Sequence, residues 1–222
     1  MRKFLLGTAA VSSAALAAGG ILWPSEARAV PIPSISIAIG ASPTQVFGPA
    51  TGGLAGWSGT NGALSYNISA TGSPLTAQPV FDTTSTNVST STAGVAYVWI
   101  TEQNLSSPLG INKFLSGFTS NTWSGAVVSV TENTLVSAGN ALFGGTLLAT
   151  QTFSSELQSV STTTLTPSLS SPYSETVEYI ITFGGIAIAN DTIDMSSIPE
   201  PVSFALFGTS LIGLGVARRR RV

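Results

Sequence analysis

The sequence predicts an all-β fold: an antiparallel β-sandwich or jelly-roll-like body, preceded by a helical signal peptide and followed by a short transmembrane helix. Three observations lead there. Short segments of the body alternate in hydrophobicity with period two, or are apolar on both faces. Stretches rich in Gly, Pro, Ser and Thr separate those segments. No part of the body carries a long apolar repeat with the helical period.

Along the body, "ISIAI" (35–39) is the first strand candidate. "GASPTQVFGPATGGLAGWSGTNG" (40–62) reads as loop, because Gly, Pro and Thr dominate it. "LSYNIS" (64–69) and "QPVF" (78–81) are short strand candidates. "FDTTSTNVSTSTAG" (81–94) and "SVSTTTLTPSLSSP" (159–172) are Ser/Thr tracts suited to extended loops or exposed edge strands. In "VAYVWITE" (95–102), Val95, Tyr97, Trp99 and Thr101 share one face and Ala96, Val98, Ile100 and Glu102 the other. Both faces are mainly apolar, as in a central strand. "WSGAVVSVTE" (123–132) has one apolar and one mixed face. "NTLVSAGNALFGGTLLA" (133–149) has room for one helical turn, but Gly139, Gly144 and Gly145 oppose a long helix. "ALFGGTLLATQTF" (141–153) is a further strand candidate. "ETVEYIITFGG" and "IAIANDTID" (175–194) read as a hairpin turning at Gly184-Gly185.

Both ends carry signals that come off the count before the body is weighed. At the start, Arg2 and Lys3 precede an apolar stretch over residues 4–22, and Trp23-Pro24 ends it. Ala27 and Ala29 then flank a single position, as signal peptidase requires, so residues 1–29 form a signal peptide and cleavage follows Ala29. The body of residues 30–195 forms one extracytoplasmic domain, and residues 196–222 form a terminal segment. In that segment Pro199, Glu200 and Pro201 make an extended box, since neither proline has an N–H to continue a helix or ladder. An apolar helix over residues 202–217 would be about 24 Å long, short of the ~30 Å hydrocarbon core. Arg218, Arg219, Arg220 and Arg221 stop its transfer and stay cytoplasmic.

The order of box, short apolar helix and terminal arginines, together with an N-terminal signal, resembles the PEP-CTERM sorting signal of Gram-negative bacteria. The resemblance covers about residues 198–222. It implies an exosortase substrate, cut at or near Pro199-Glu200-Pro201 by a membrane-embedded cysteine protease. The body would then pass from an inner-membrane-anchored precursor to the cell surface or an exopolysaccharide matrix. The bodies of such proteins vary widely, so the resemblance gives a route and leaves the body's task open.

Composition narrows that task. The eight acids between residues 30 and 198 (Asp82, Glu102, Glu132, Glu156, Glu175, Glu178, Asp191 and Asp194) face a single cation, Lys113, for a net charge of −7. Nucleic acid therefore finds no basic groove there. The chain has no Cys and no His, which excludes Ser-His-Asp triads, Cys-His pairs and zinc sites built on those ligands. No catalytic residue, cofactor site or metal site is expected. A carboxylate pair for glycoside hydrolysis stays open as an alternative, although Glu175/Glu178 and Asp191/Asp194, three apart, fall on opposite strand faces. Asn190, Asp191 and Asp194 carry oxygen ligands, but read as a polar strand end rather than a calcium loop. Trp57, Tyr97, Trp99 and Trp123 would make a sugar platform if exposed together, and otherwise belong to the core. The N-x-S/T triplets at Asn67, Asn87, Asn104 and Asn190 carry no weight in a chain so rich in hydroxyls. The expected function is that of a non-enzymatic surface or matrix protein, with a carbohydrate-binding module or adhesin as the alternative.

Overall fold

The computed structural model describes residues 31–198. Ala27, Ala29, the Pro199-Glu200-Pro201 box, the apolar run 202–217 and Arg218 to Arg221 lie outside the described residues. Among the described residues there are ten strands and no helix: β1 (Ser34–Ile39), β2 (Gln45–Ala50), β3 (Leu54–Asn61), β4 (Leu64–Thr71), β5 (Phe81–Thr90), β6 (Gly94–Leu105), β7 (Lys113–Ser137), β8 (Thr146–Phe153), β9 (Gln158–Leu165) and β10 (Tyr173–Ile198). Every pairing between them is antiparallel. The all-β, sandwich-like body expected from the sequence is what the chain forms.

The organising strands are β7 and β10, 25 and 26 residues long. They pair with each other from Ser174↔Ser137 at one end to Ile198↔Lys113 at the other. On its other side β10 pairs with β6 through residue 183 and with β5 from residue 187 onward. Likewise β7 pairs with β9 along its first part and with β8 along its last. One layer therefore reads β2-β1-β6-β10-β7-β8 and the other β3-β4-β5-β10-β7-β9.

The two layers face each other because β7 and β10 turn back together. Ser116 and Thr134, both in β7, meet hydroxyl to hydroxyl at 2.8 Å. The Ile193 N–H of one layer donates to the Tyr179 hydroxyl of the other at 2.8 Å. Between the layers lie Ile35, Ile37, Val98, Ile100, Val177, Tyr179 and Ile181 from the first, and Ile68, Val88, Phe114, Phe118 and Ile193 from the second. The alternation predicted in "VAYVWITE" holds: Ala96, Val98 and Ile100 are fully buried, and β6 is central between β1 and β10.

Several local readings are overturned. Gly184-Gly185 is not a hairpin turn; β10 runs through it as one strand, and the pair marks the corner where the strand passes between layers. A turn there would have forced the two halves to pair with each other. Instead each half finds β7 on one side. The supposed loop 40–62 contains β2 and β3. The Ser/Thr tract at 81–90 is β5, an interior strand of its layer rather than a loop or edge. Thr86 and Thr90, both buried, are β-branched and fit a pleated surface without being apolar. By contrast, residues 158–165 do form an exposed edge strand, β9.

At the corner the partner of β10 is Gly125, with φ +76°, where an added Cβ would fall on the Ile186 carbonyl oxygen. Gly125→Ala is expected to destabilise the fold by about 1–3 kcal/mol through backbone strain. Gly94→Ala, where a Cβ meets nothing within 4 Å, is expected to be near neutral. Urea unfolding midpoints of the two variants check this, and equal midpoints would contradict the corner's role.

Candidate functional site

Five of the eight acids between residues 30 and 198 are interior. Glu102, Glu132, Glu175 and Asp191 are fully buried, and Glu178 is 8% exposed. Alternation puts them there. Glu102 and Glu175 are cross-strand partners on the inner face of β6 and β10. Glu132 of β7 lies beside Tyr179 on the same inner face. Asp191 points inward from the opposite layer. Glu178 takes the outer face, three residues from Glu175, and Asp194 the outer face, three from Asp191, as strand geometry requires.

Among the described residues no cation offsets these groups: Lys113 is exposed, in the first position of β7. Partners are sparse. The Ser73 N–H donates to Glu102 Oε1 at 2.6 Å, and the backbone of Gly72 closes over the same carboxyl, leaving no room for a Cβ. Trp123 Nε1 donates to Asp191 Oδ1 at 3.0 Å. Neither oxygen of Glu132 or Glu175 makes a well-formed hydrogen bond. An unpaired carboxylate costs far more in such a place than a neutral acid, so protons stay on. Burial pushes Glu132 up to about 9, and the nearby Asp191 and Asp194 add to it. Burial pushes Glu102 up to about 7 against the opposing Ser73 bond, and Asp191 up to about 7 against the Trp123 bond. Glu175 is pushed well above the carboxylate range by burial and then by Glu102.

Across β5 and β10, Asp82 and Asp194 are direct partners on the outside of the second layer. Burial raises both, and Asp82 adds to the shift of Asp194. Asn190, Asp191 and Asp194 do not converge: Asp191 faces the core, and the Asn190 amide is turned to Asn87. Among the described residues no three acids gather as cation ligands.

The tryptophans do not form one platform. Trp57 sits between layers at the β2–β3 side, stacked on Phe47 with ring centroids 4.1 Å apart, and Tyr66 is tilted against it. Trp99 lies on the outer face of the first layer, its indole N–H bonded to the Gly40 carbonyl at 3.1 Å. Trp123 packs against the core near the corner and is held by Asp191. All three are only half-buried, but they point in different directions. Sequence reasoning missed the interior acids because Glu at an inward strand position looks the same as Glu at an outward one until the register is known.

The sequence matches no family model and no curated protein. Among solved structures, it is similar to TmCBM61 in complex with beta-1,4-galactotriose, with 9% identity over 65% of this chain and 87% of that chain, at a TM-score of 0.35. It is similar to the CBM22-1 xylan-binding domain from Paenibacillus barcinonensis Xyn10C, with 12% identity over 68% and 89%, at a TM-score of 0.35. It is also similar to the enzymatically active domain of bacteriophage CBA120 tailspike protein 4, with 11% identity over 65% and 19%, at a TM-score of 0.32. At these scores the likeness carries no argument about what this chain does.

A carboxyl whose pKa is higher in the folded state holds its proton more tightly there, so stability falls as pH rises from the unfolded value to the folded one. For Glu132 that window runs from about 4.5 to about 9, and for Glu102 it closes near 7. Each proton contributes a slope of up to about 1.4 kcal/mol per pH unit. The urea midpoint is expected to fall steadily from mildly acidic to mildly alkaline pH. Glu132→Gln, which keeps the shape and removes the ionisation, should flatten the alkaline part. A midpoint that rises with pH would contradict the interior placement.

Proposed function

We propose that this chain is an exported, non-enzymatic surface or extracellular-matrix protein. Its body is delivered by the N-terminal signal and processed by an exosortase-type protease at Pro199-Glu200-Pro201. The observation that carries the non-enzymatic reading is the burial of the acids. Glycoside hydrolysis with carboxylates alone needs two of them flanking a bound sugar, whereas Glu102, Glu132, Glu175 and Asp191 are sealed between two layers. Asp82 and Asp194 sit outside, side by side on neighbouring strands, and project the same way from one sheet face. They support one face of a sheet better than opposite sides of a substrate.

Carbohydrate binding is the second reading. It is favoured by an exterior built from hydroxyls and amides, such as Asn67, Asn87 and Ser89, in place of charge. The scattered tryptophans argue against the aromatic form of that reading.

Mass spectrometry of the protein recovered from the surface and medium of its native host tests the route. The expected mature chain begins at Val30 and ends at or near the box. Surface-located protein ending at Val222 would overturn the processing step. Replacing Arg218 to Arg221 with neutral residues is expected to reduce the membrane-bound precursor on fractionation.

A further inference from the structure

Three of the four N-x-S/T triplets come together on one face. Asn67 of β4 pairs with Asn87 of β5, which pairs with Asn190 of β10. On a strand, residues two apart share a face. Each triplet therefore adds its hydroxyl to the same surface, so that Ser69, Ser89 and Thr192 flank the row of amides. The register lines up Ser65 with Ser89 and Ser69 with Ser85. The row extends across β7, where Asn121 Nδ2 donates to the Thr192 hydroxyl at 2.9 Å. Asn190 Nδ2 donates to Asn87 Oδ1 at 2.8 Å, and Asn87 Nδ2 to the Ser85 hydroxyl at 2.8 Å, so the Asn87 and Asn190 amides are held in fixed orientations. An open depression of about 260 Å³ lies over this face, lined by Ser65, Asn67, Asn87, Ser89 and Ile188.

We infer that this Asn/Ser face of the second layer binds a neutral, hydroxyl-rich polysaccharide. The inference rests on the carbohydrate-binding reading above and gives it a site. Each amide offers both donors and acceptors, and each hydroxyl does the same. Neighbouring hydroxyls on a sugar ring present that mixed character too. The strands repeat it about every 4.8 Å across the sheet, so a chain of sugars can be gripped at several points. No acid or cation lies among the residues of the depression, which leaves nothing to hold an anionic polymer by charge. Of the apolar residues that line it, Tyr66 and Val88 are buried, whereas Ile188 is 49% exposed and offers a patch for the C–H face of a ring. A protein partner would find little of the aromatic and Met-rich surface that interface cores use.

Affinity electrophoresis of the body in gels containing galactan, xylan or dextran, with alginate as the anionic comparison, tests the assignment. The wild type is expected to be retarded by at least one neutral polymer and not by alginate. Asn87→Ala/Asn190→Ala should weaken the dissociation constant about tenfold or more, through loss of two or more hydrogen bonds. Ser65→Leu, which fills the depression and leaves the amide row intact, should also weaken it. Trp99→Ala, on the other layer, should not. Thermal unfolding of each variant confirms that it is folded. Retardation that survives both face variants would overturn this site while leaving carbohydrate binding in place. Loss in Trp99→Ala alone would move the site to the first layer. No retardation of the wild type by any neutral polymer, or retardation by alginate alone, would overturn both the site and the reading. Concentration-dependent self-association lost in the face variants would instead assign the face to a second copy of the chain.

Discussion

Strands β7 and β10 run antiparallel to each other through both layers, and the other eight strands attach to the two sides of that pair. Because the pair bends back on itself, residues far apart within one strand meet across the core, as Ser116 and Thr134 do. Two consequences follow. The layers cannot slide independently, since the same backbones belong to both. The bend must occur in both strands at the same height, which is why Gly125, paired with Ala187, lies next to the stretch of β7 that faces Gly184-Gly185.

The same arrangement decides where charge goes. A strand that passes from one layer to the other presents its inward face to a common interior, and the acids of β10 at positions 175 and 191 enter it from opposite layers. With burial holding protons on Glu132 and Glu175, the body at neutral pH is less negative than its composition suggests. The polar surface left over is largely hydroxyl and amide, and it lies beside exposed apolar side chains such as Leu157 and Ile186.

Much of this was legible in the sequence where the signal was local. The two-faced pattern of residues 95–102 marked a central strand, and the spacing of Glu175 and Glu178 placed them on opposite faces. The body's β class followed from the same alternation. What was not legible depended on pairing between distant segments. Gly184-Gly185 carries the composition of a hairpin turn, and only the length of β7 alongside it makes it a corner. Residues 81–90 lack an apolar stripe, so their interior position comes from neighbours on both sides. The triplets at Asn67, Asn87 and Asn190 gave no weight singly, and gained meaning once register placed them in one row.

The placement of β10 also sets how the molecule bears load. Strand β10 runs to Ile198 and is hydrogen-bonded to β7 on one side and to β6 and then β5 on the other. Tension applied at Ile198 would act along β10 and shear it lengthwise against its neighbours. The bonds of the ladder then share the force and must fail together, instead of opening one at a time as they would if an edge strand were peeled away. A body attached to its surroundings through that end would resist extraction through its most firmly seated strand.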